Sequence, residues 1–478
     1  MVEDVKRSLR DSKAARWTSL MIVSFTMLCG YYVADIMSPL KPMIEQQLHW
    51  TSSEYGLYTS AYGWFNVFLA MLILGGIILD KMGPRFAGVL ASILMLTGTG
   101  LNWFAMLPGT LADLELFGIR AQVLLAAVGY AIFGVGIELC GITATKIVAR
   151  WFKGYEMALA MGLQVAIARI GTGLALGLGG PIATGLGAVS MPLLFGTILL
   201  GVGLVGFLIY CVMDRRLDAS EPSKGEKAKA EDQFRLADIG QILKNKGFWY
   251  IAILCAIFYS AVFPFLKYAS DLMVQKFGLS EDVAGLIPSM LPFGTMLLTP
   301  VFGRYYDKKG KGASIMVLGS VLIFAVHVVF TLPMLDHWIV AVGAMLVLGV
   351  GFSLVPSAMW PSVPKMIPHR QLGTAYALIF WVQNLIALTL IPLLVGWVLD
   401  TFCITGREIV KETVDGKLTS TEIVHYNYTL PMAIFMMCGV LAIVVALLLK
   451  AEDKKSGYGL QLANQPAAPA KAATEEAK

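Results

Sequence analysis

Twelve long apolar stretches constrain the fold of this chain more than any other feature. Each stretch is about 20 residues or longer, which is the length that an α-helix needs to cross the hydrocarbon core of a bilayer. The 478-residue chain is 57% hydrophobic and only 14% charged, whereas soluble domains carry about a quarter of charged residues. It has no series of short alternating segments of the kind that builds outer-membrane barrels. The sequence therefore predicts an all-α membrane protein with twelve transmembrane helices.

The predicted spans fall into two sets of six. They run over residues 17–40, 56–79, 86–107, 119–146, 156–183, 190–213, 247–272, 281–304, 313–334, 338–362, 371–400 and 429–450. A charged linker, residues 214–246, separates the sixth span from the seventh. The predicted units are therefore an N-terminal segment over residues 1–16, an N-terminal bundle over residues 17–213 and a C-terminal bundle over residues 247–450.

The linker and the end of the chain differ in character from the bundles. Five apolar residues of the linker share one helical face: Phe234, Leu236, Ile239, Ile242 and Leu243. This pattern predicts an amphipathic helix that lies on the membrane surface. Residues 451–478 are polar and rich in Ala, Pro and Lys, so we expect them to form a disordered tail.

The placement of basic residues predicts the orientation. Lysines and arginines are concentrated in residues 1–16 and in the loops after even-numbered spans, whereas the shorter opposite loops hold only Lys41, Arg120, Lys267 and Lys276. Because basic residues are retained on the cytoplasmic side, both termini are predicted to face the cytoplasm. The net charge of +5 is thus explained by topology, and we expect no nucleic-acid partner.

A charged loop motif follows the second span and recurs after the eighth. The first copy contains Gly76, Asp80, Lys81, Gly83 and Arg85, and the second contains Gly303, Asp307, Lys308 and Gly310. We interpret the two loops as a cytoplasmic gate, in which each aspartate pairs with a facing helix N-terminus and basic neighbours in one state only. The alternative is that the loops merely carry the positive charge of the cytoplasmic side.

A second repeat lies inside the spans. Gly134-Val-Gly-Ile-Glu138 in span four matches Gly349-Val-Gly-Phe-Ser353 in span ten. Two repeats that run in the same direction predict two parallel six-helix halves related by an axis normal to the membrane. The cargo is then expected between the halves near mid-depth.

Two charged residues, Glu138 and Arg169, lie in the middle of consecutive apolar spans. Each would cost roughly 3 kcal/mol at the centre of a bilayer. They lie about 12 Å and about 18 Å from the cytoplasmic ends of their helices, so their depths are similar. Arg169 can bind a carboxylate through two parallel hydrogen bonds, and Glu138 can accept from an ammonium, which favours a site for a zwitterion. A buried ion pair that only joins two helices and a proton-carrying Glu138 remain as alternatives.

Other residues are spaced to face the same site. They are Asp35 on span one, Tyr62 and Asn66 on span two, Tyr259 and Phe263 on span seven, and Gln383 and Asn384 on span eleven. The tyrosines and their partners are each one helical turn apart. Pro264 is expected to break span seven, which is tolerated against protein or a water-filled cavity. Alternatively, the two amides of span eleven only form hydrogen bonds between helices. For Asp35, the alternative is that it is only a charge near the membrane interface.

The duplicated Gly-x-x-x-Asp-(Lys/Arg)-x-Gly loop, in register with twelve spans, resembles the signature of the major facilitator superfamily. A narrower resemblance is to its lysosomal dipeptide uniporter branch. The stretches that carry it are Tyr62-Gly-Trp64-Phe-Asn66, Trp151-Phe-Lys-Gly154, Gly162-Leu-Gln164, Ala168-Arg169-Ile-Gly171, Val262-Phe263-Pro264-Phe265, Trp360-Pro361, Gln371-Leu-Gly-Thr-Ala-Tyr376 and Gln383-Asn384.

The narrower resemblance implies that Glu138 and Arg169 hold the two ends of a dipeptide. It also implies two parallel halves that work by alternating access. In one respect the chain departs from the superfamily, because many members have arginine where Tyr130 stands. Members of the dipeptide branch associate with a single-span accessory subunit, but this sequence indicates no surface for one, and we expect a monomer.

The leading hypothesis is an alternating-access transporter of small zwitterions, dipeptides foremost, acting as a uniporter. One alternative is a proton-coupled symporter or antiporter of an organic anion, a sugar or a drug-like solute, and another is a membrane receptor or scaffold without transport. No catalytic arrangement, P-loop or metal-ligand spacing stands out, so we expect no enzyme activity, cofactor or metal. The expected location is the plasma membrane for a prokaryotic chain and the lysosomal membrane for a eukaryotic one.

Overall fold

The computed structural model of the protein describes residues 9–111, 114–220, 236–368, 371–414 and 417–463, and nearly all of their regular structure is helical. Within these residues, eleven helical stretches are long and apolar enough to cross a membrane. The all-α membrane class that the composition predicts is therefore confirmed. The structure differs from the sequence prediction in how the second and third spans are built.

The N-terminal half contains eight α-helices and a short hairpin. The helices are α1 (Lys13–Asp35), α2 (Lys41–Leu48), α3 (Ser52–Ser60), α4 (Trp64–Phe68), α5 (Met71–Ala105), α6 (Ala121–Trp151), α7 (Met157–Leu186) and α8 (Met191–Ser220). Strands β1 (Glu115–Leu116) and β2 (Ile119–Arg120) pair before α6.

The C-terminal half contains the remaining described helices and a longer hairpin. The helices are α9 (Leu236–Ile242), α10 (Lys246–Ser260), α11 (Phe263–Phe277), α12 (Leu286–Lys309), α13 (Gly312–Thr331), α14 (Trp338–Met366), α15 (Leu372–Gln383), α16 (Ile391–Phe402) and α17 (Thr429–Ser456). Strands β3 (Ile404–Val414) and β4 (Lys417–Tyr426) form an antiparallel hairpin between α16 and α17. The sequence analysis did not predict this hairpin.

Helix α5 contains parts of two predicted spans. Its 35 residues would measure about 52 Å if straight, which exceeds the thickness of a bilayer. Gly83 interrupts it with φ 81°, a value that favours glycine, and Pro84 follows. Residues 71–82 therefore complete the second span and residues 84–105 form the third. This accounts for twelve predicted spans against eleven helical stretches in the described residues.

Three spans that meet at the interface between the halves are interrupted. The second span consists of α3, α4 and the start of α5, with Ala70 at φ 50° between the last two. The seventh is broken between α10 and α11, next to Pro264 as the sequence predicts. The eleventh contains a π-helical segment, Asn384–Leu390, between α15 and α16. Such irregular backbone is tolerated in membranes only against protein or a water-filled cavity.

The halves approach each other closely along two helix pairs that depend on glycine. Helix α3 packs on α16, where a Cβ atom on Gly56 would lie 2.6 Å from the carbonyl oxygen of Pro392. Helix α7 packs on α12, where a Cβ atom on Gly285 would lie 1.9 Å from the carbonyl oxygen of Leu176. A larger residue at Gly56 or Gly285 would push the halves apart, so both glycines permit this contact.

The molecule has two ends that we name by what they carry. The hairpin face carries α2 and the β3–β4 hairpin. The terminal face carries the first and last described residues and the described ends of the linker. The Leu9 amide donates to Ser220 Oγ at 3.1 Å, and the Tyr458 hydroxyl lies 3.4 Å from Asn245 Oδ1. That the terminal face is cytoplasmic remains a prediction.

The linker begins later than predicted, because α8 continues to Ser220 instead of ending at residue 213. Residues 221–235, which include Phe234 of the predicted amphipathic helix, lie outside the described residues. Helix α9 covers part of the predicted segment, with Ile242 buried and Leu243 exposed.

The expectation of disorder from residue 451 is wrong for the described part of the tail. Helix α17 runs to Ser456, and Leu460 is fully buried. The amides of Lys311 and Gly312 donate to the carbonyl oxygens of Gln461 and Leu460, both at 2.9 Å. Burial of an apolar side chain together with these backbone hydrogen bonds orders the segment. The rest of the predicted tail, residues 464–478, lies outside the described residues.

Candidate functional site between the two halves

A cavity of about 1010 Å³ lies between the two halves. Seven of the nine residues predicted for the site line it: Asp35, Tyr62, Glu138, Arg169, Tyr259, Phe263 and Gln383. These residues come from the first, second, fourth, fifth, seventh and eleventh spans, so segments far apart in sequence converge on one site. The volume is in the range of small-molecule pockets.

Glu138 is held next to Tyr62 by close packing of α6 on the second span. A Cβ atom on Gly134 would lie 2.3 Å from the carbonyl oxygen of Tyr62, so only glycine permits this approach. Gly134 precedes Glu138 by one helical turn. The Tyr62 hydroxyl donates to Glu138 Oε1 at 3.0 Å, and the carboxylate is partly exposed to the cavity. Its remaining acceptor capacity is available to a ligand.

Arg169 faces the same cavity from α7. Its guanidinium carbon lies 5.8 Å from the ring centroid of Tyr31 and 5.8 Å from that of Phe352. Within the described residues, the Arg169 guanidinium forms no ion pair and no hydrogen bond. Glu138 and Arg169 thus line one cavity without pairing with each other, which disfavours the alternative of an ion pair that merely joins two helices.

Asp35 lines the end of the cavity that lies towards the hairpin face. Lys267 Nζ is 2.7 Å from Asp35 Oδ1 and donates to the carbonyl oxygen of Ala34 at 2.6 Å. Lys267 was counted with the basic residues of the opposite loops, although it falls at the end of the predicted seventh span. It belongs to α11, which follows the break next to Pro264, and it lines the cavity. Tyr130 places its hydroxyl 3.4 Å from Lys267 Nζ.

Asn66 and Asn384 do not line the cavity, so their assignment to the site is corrected. Asn66 Nδ2 donates to the carbonyl oxygen of Gly134 at 3.3 Å and joins the second and fourth spans. Asn384 Nδ2 donates to the carbonyl oxygen of Phe380 at 2.9 Å within its own span. Both side chains are buried, and their amides satisfy backbone carbonyls instead of facing a ligand.

Aromatic residues cover the side of the cavity that the C-terminal half provides. We call Tyr259, Phe263, Phe352, Trp360 and Phe380, all of which line the cavity, the aromatic wall. Of these five residues, only Tyr259 and Phe263 were predicted from the sequence to belong to the site. The internal repeat could have pointed to Phe352, because Phe352 is next to Ser353, which stands at the position equivalent to Glu138.

The hairpin face is closed by a group of buried polar residues that we call the hairpin-face cluster: Lys41, Glu45, Asp271, Tyr426 and Tyr428. Lys41 Nζ lies 2.5 Å from Asp271 and 2.7 Å from Glu45. The hydroxyls of Tyr426 and Tyr428 donate to Glu45 and Asp271 respectively. Because Lys41 belongs to the N-terminal half and Asp271 to the C-terminal half, the cluster joins the two halves.

Two further contacts cross between the halves at the hairpin face. The Asp400 carboxylate accepts hydrogen bonds from the amides of Ser52 and Ser53 at 3.0 and 2.5 Å, at the start of α3. Gln46 Nε2 donates to Glu281 at 2.6 Å, and burial raises the pKa of the Glu281 carboxyl. These contacts and the hairpin-face cluster were not predicted, because the hydrogen bonds that cross between the halves join residues more than 200 positions apart in sequence.

The predicted gate residues lie at the terminal face. Asp80 pairs with Lys146 at 2.6 Å and Arg85 with Asp218 at 2.6 Å, and both pairs stay within the N-terminal half. The side chains at the remaining charged positions, Lys81, Asp307 and Lys308, are exposed. Among the glycines, Gly83 and Gly310 have positive φ values, and Gly76 and Gly303 have open space beside them. The predicted gate function stays a prediction.

Comparison with known proteins agrees with this architecture. A family model described as Major Facilitator Superfamily matches residues 20–392. The chain is 29% identical over 398 residues to a "Lysosomal dipeptide transporter MFSD1" of Bos taurus, which covers 81% of this chain and 80% of that protein.

Among solved structures, a mutant of the nucleoside transporter NupG superposes with a TM-score of 0.67 at 15% identity, covering 91% of this chain and 99% of that one. The peptide transporter POT in complex with sulfate gives a TM-score of 0.64 at 15% identity, covering 93% and 95%. At these identities the likeness is one of fold. The family match and the resemblance to transporters identify a transporter rather than an enzyme. This multi-pass membrane protein belongs to the Major Facilitator Superfamily.

Proposed function

We propose that this transporter carries small zwitterions, dipeptides foremost, through the cavity between its halves. One observation supports the proposal above all. Glu138 and Arg169 carry opposite charges, line the same cavity and form no ion pair with each other. A solute with an ammonium at one end and a carboxylate at the other provides a partner for each. The relative of Bos taurus that is described as a dipeptide transporter adds support.

Each charged residue has a distinct role in this proposal. Arg169 binds the carboxylate through the fork of its guanidinium, whose carbon lies 5.8 Å from the rings of Tyr31 and Phe352. Glu138 accepts from the ammonium, and the Tyr62 hydroxyl holds its carboxylate in position. Charge-assisted hydrogen bonds of this kind contribute about 1.5–3 kcal/mol each.

The proposal is tested by dipeptide uptake into proteoliposomes. Glu138→Gln and Arg169→Met should each weaken apparent affinity by about 10- to 150-fold, since each removes one charge-assisted contact. Glu422→Gln and Arg407→Met are matched controls, because they neutralise an exposed pair on the hairpin, and they should leave uptake unchanged. Normal uptake by both cavity variants would contradict the site assignment.

The resemblance to a uniporter branch supports transport without a coupled ion. A second candidate, proton-linked transport, is favoured by a different observation: within the described residues, no cation lies within ion-pair distance of the Glu138 carboxylate. The two are separated by imposing a pH gradient across proteoliposomes. Uniport predicts equilibration of the dipeptide without accumulation, whereas proton coupling predicts accumulation that Glu138→Gln abolishes.

A further inference from the structure

The two halves contribute different chemistry to the cavity. The N-terminal half supplies Glu138, Arg169 and Asp35, whereas the C-terminal half supplies the aromatic wall. Among the described lining residues of the C-terminal half, Lys267 is the charged one, and its ammonium is engaged by Asp35 and the Ala34 carbonyl. A ligand that spans the cavity therefore meets charges together with three tyrosines, Tyr31, Tyr62 and Tyr130, on one side, and the aromatic wall on the other.

The internal repeat shows where the difference arises. Ser353 stands at the position equivalent to Glu138, but it is fully buried and its hydroxyl donates to the Gly349 carbonyl of its own helix at 2.7 Å. The neighbouring Phe352 lines the cavity instead. The second half thus has a buried serine in place of the charge, and an aromatic ring in place of Ile137, which also lines the cavity.

The rings of the aromatic wall support one another. The Phe352 ring centroid lies 5.6 Å from that of Tyr259 and 5.8 Å from that of Phe263, with the rings steeply inclined. Phe258, which is fully buried, stacks on Phe352 at 5.9 Å with an interplanar angle of 3°. The geometry is typical of favourable aromatic packing. Phe352 and Tyr259 are 4% and 6% exposed, whereas Phe263, Trp360 and Phe380 are half-buried, so the preformed apolar surface is provided mainly by the last three rings.

Phe352 also lies next to the charge that would hold one end of a ligand. Its centroid is 5.8 Å from the Arg169 guanidinium carbon. Suppose that Arg169 binds the carboxylate of a dipeptide. The side chain of the carboxyl-terminal residue then branches from the Cα atom that is bonded to that carboxylate. Of the two side chains of the peptide, it is the one positioned to reach Phe352.

We infer that Phe352, Tyr259 and Phe263 form a side-chain subsite that selects dipeptides with an aromatic or large apolar carboxyl-terminal residue. This inference rests on the proposed function. An aromatic side chain in the subsite buries apolar area and packs against rings that are already in place. A dipeptide with alanine as its carboxyl-terminal residue leaves the rings of the subsite uncovered.

The experiment measures binding of Ala-Ala, Ala-Phe and Phe-Ala to the purified full-length protein by isothermal titration. Wild type should bind Ala-Phe about three- to tenfold more tightly than Ala-Ala. Phe352→Leu should reduce this ratio to near one. The ratio isolates the side-chain contact, because any change in the Arg169 environment affects both peptides equally. Phe330→Leu, which removes a buried ring of the same half that neither lines the cavity nor contacts the aromatic wall, is the matched control and should preserve the ratio.

The outcomes separate the inference from the proposed function. Equal binding of Ala-Ala and Ala-Phe by wild type would overturn the subsite alone, and so would a ratio that Phe352→Leu leaves unchanged. A selective effect of Phe352→Leu on Phe-Ala would overturn the assignment to the carboxyl-terminal residue. Absence of binding of all three peptides would overturn the proposed function and the subsite with it. If Phe352→Leu does not fold, the ratio of Ala-Phe to Ala-Ala binding is measured with Phe263→Leu instead, and the same reduction to near one is expected.

Discussion

The two faces of the molecule place their charges in opposite environments. On the hairpin face, the side chains of Lys41 and Asp271 are both 0% exposed and join the two halves. On the terminal face, Asp80 and Lys146 are 75% and 43% exposed and both belong to the N-terminal half. The Lys41–Asp271 pair that joins the halves on the hairpin face is therefore buried, whereas the Asp80–Lys146 pair stays in water. Other pairs of the terminal face, such as Arg150 with the buried Asp214, also stay within the N-terminal half.

The contrast indicates which way the cavity opens. Its lining extends to Thr145, which is exposed and directly precedes Lys146 at the terminal face. At the opposite end the lining stops at Asp35 and Lys267, which pair across the halves. The structure is thus a state closed on the hairpin face and open towards the terminal face. Alternating access requires that a second state reverse the two conditions.

The largest effect is expected from breaking the hairpin-face cluster. Lys41→Met leaves Asp271 and Glu45 buried without their cation, so we expect the free energy of unfolding to fall by about 3–5 kcal/mol. Arg407→Met, which removes a pair that is 58% and 47% exposed, should cost less than about 1 kcal/mol. Thermal unfolding in detergent measures both. Similar melting temperatures for the two variants would contradict the contrast between buried and exposed charges.

A smaller effect should follow from loss of the Asp400 contact. Asp400→Ala removes the acceptor of two amides at the start of α3, and we expect a cost of about 1–2 kcal/mol to the closed hairpin face. The reporter is Thr59→Cys, a buried position that lines the cavity, labelled by a membrane-impermeant maleimide applied at the hairpin face. Asp400→Ala should accelerate labelling.

The matched control for Asp400 is Thr51→Val. Thr51 caps the same helix within the N-terminal half, through a capping box with Glu54. Its loss should lower helix stability without opening the hairpin face. Equal acceleration of Thr59→Cys labelling by both variants would show that Asp400 acts only on α3 and does not hold the halves together.

The smallest change in stability is expected at the terminal face. Asp80→Asn removes an exposed pair, so the melting temperature should change by little more than the error of the measurement. If Asp80 is the predicted gate, transport rate should nevertheless fall, because the aspartate is needed in the state that closes this face. Unchanged transport in Asp80→Asn would leave the pair as a surface contact and remove the gate.

The features that could be predicted from the sequence are those with a local cause. Gly83 is predicted by a repeated loop motif, Pro264 breaks its helix through its own ring, and the depths of Glu138 and Arg169 follow from the rise of a helix. Each depends on residues close in sequence. The helical class, the two halves and the residues of opposite charge in one cavity were therefore predictable.

The features that were missed depend on contacts between distant segments. Lysines such as Lys41 and Lys267 are expected in loops. Only the packing of α2 and α11 against the other half shows that Lys41 is buried and that Lys267 faces the cavity. Asn66 and Asn384 have the right spacing for the cavity but satisfy nearby backbone carbonyls instead. A single sequence contains the helical period of each span but not the rotation of one span against another.

The most direct test of the central claim combines variants with blocked peptides. If Glu138 accepts from the ammonium, acetylating the amino end of Ala-Phe should weaken binding to wild type by about 10-fold or more, yet change binding to Glu138→Gln by less than about twofold. Amidation of the carboxyl end should show the same pattern with Arg169→Met. Equal losses on acetylation in wild type and Glu138→Gln would contradict the account.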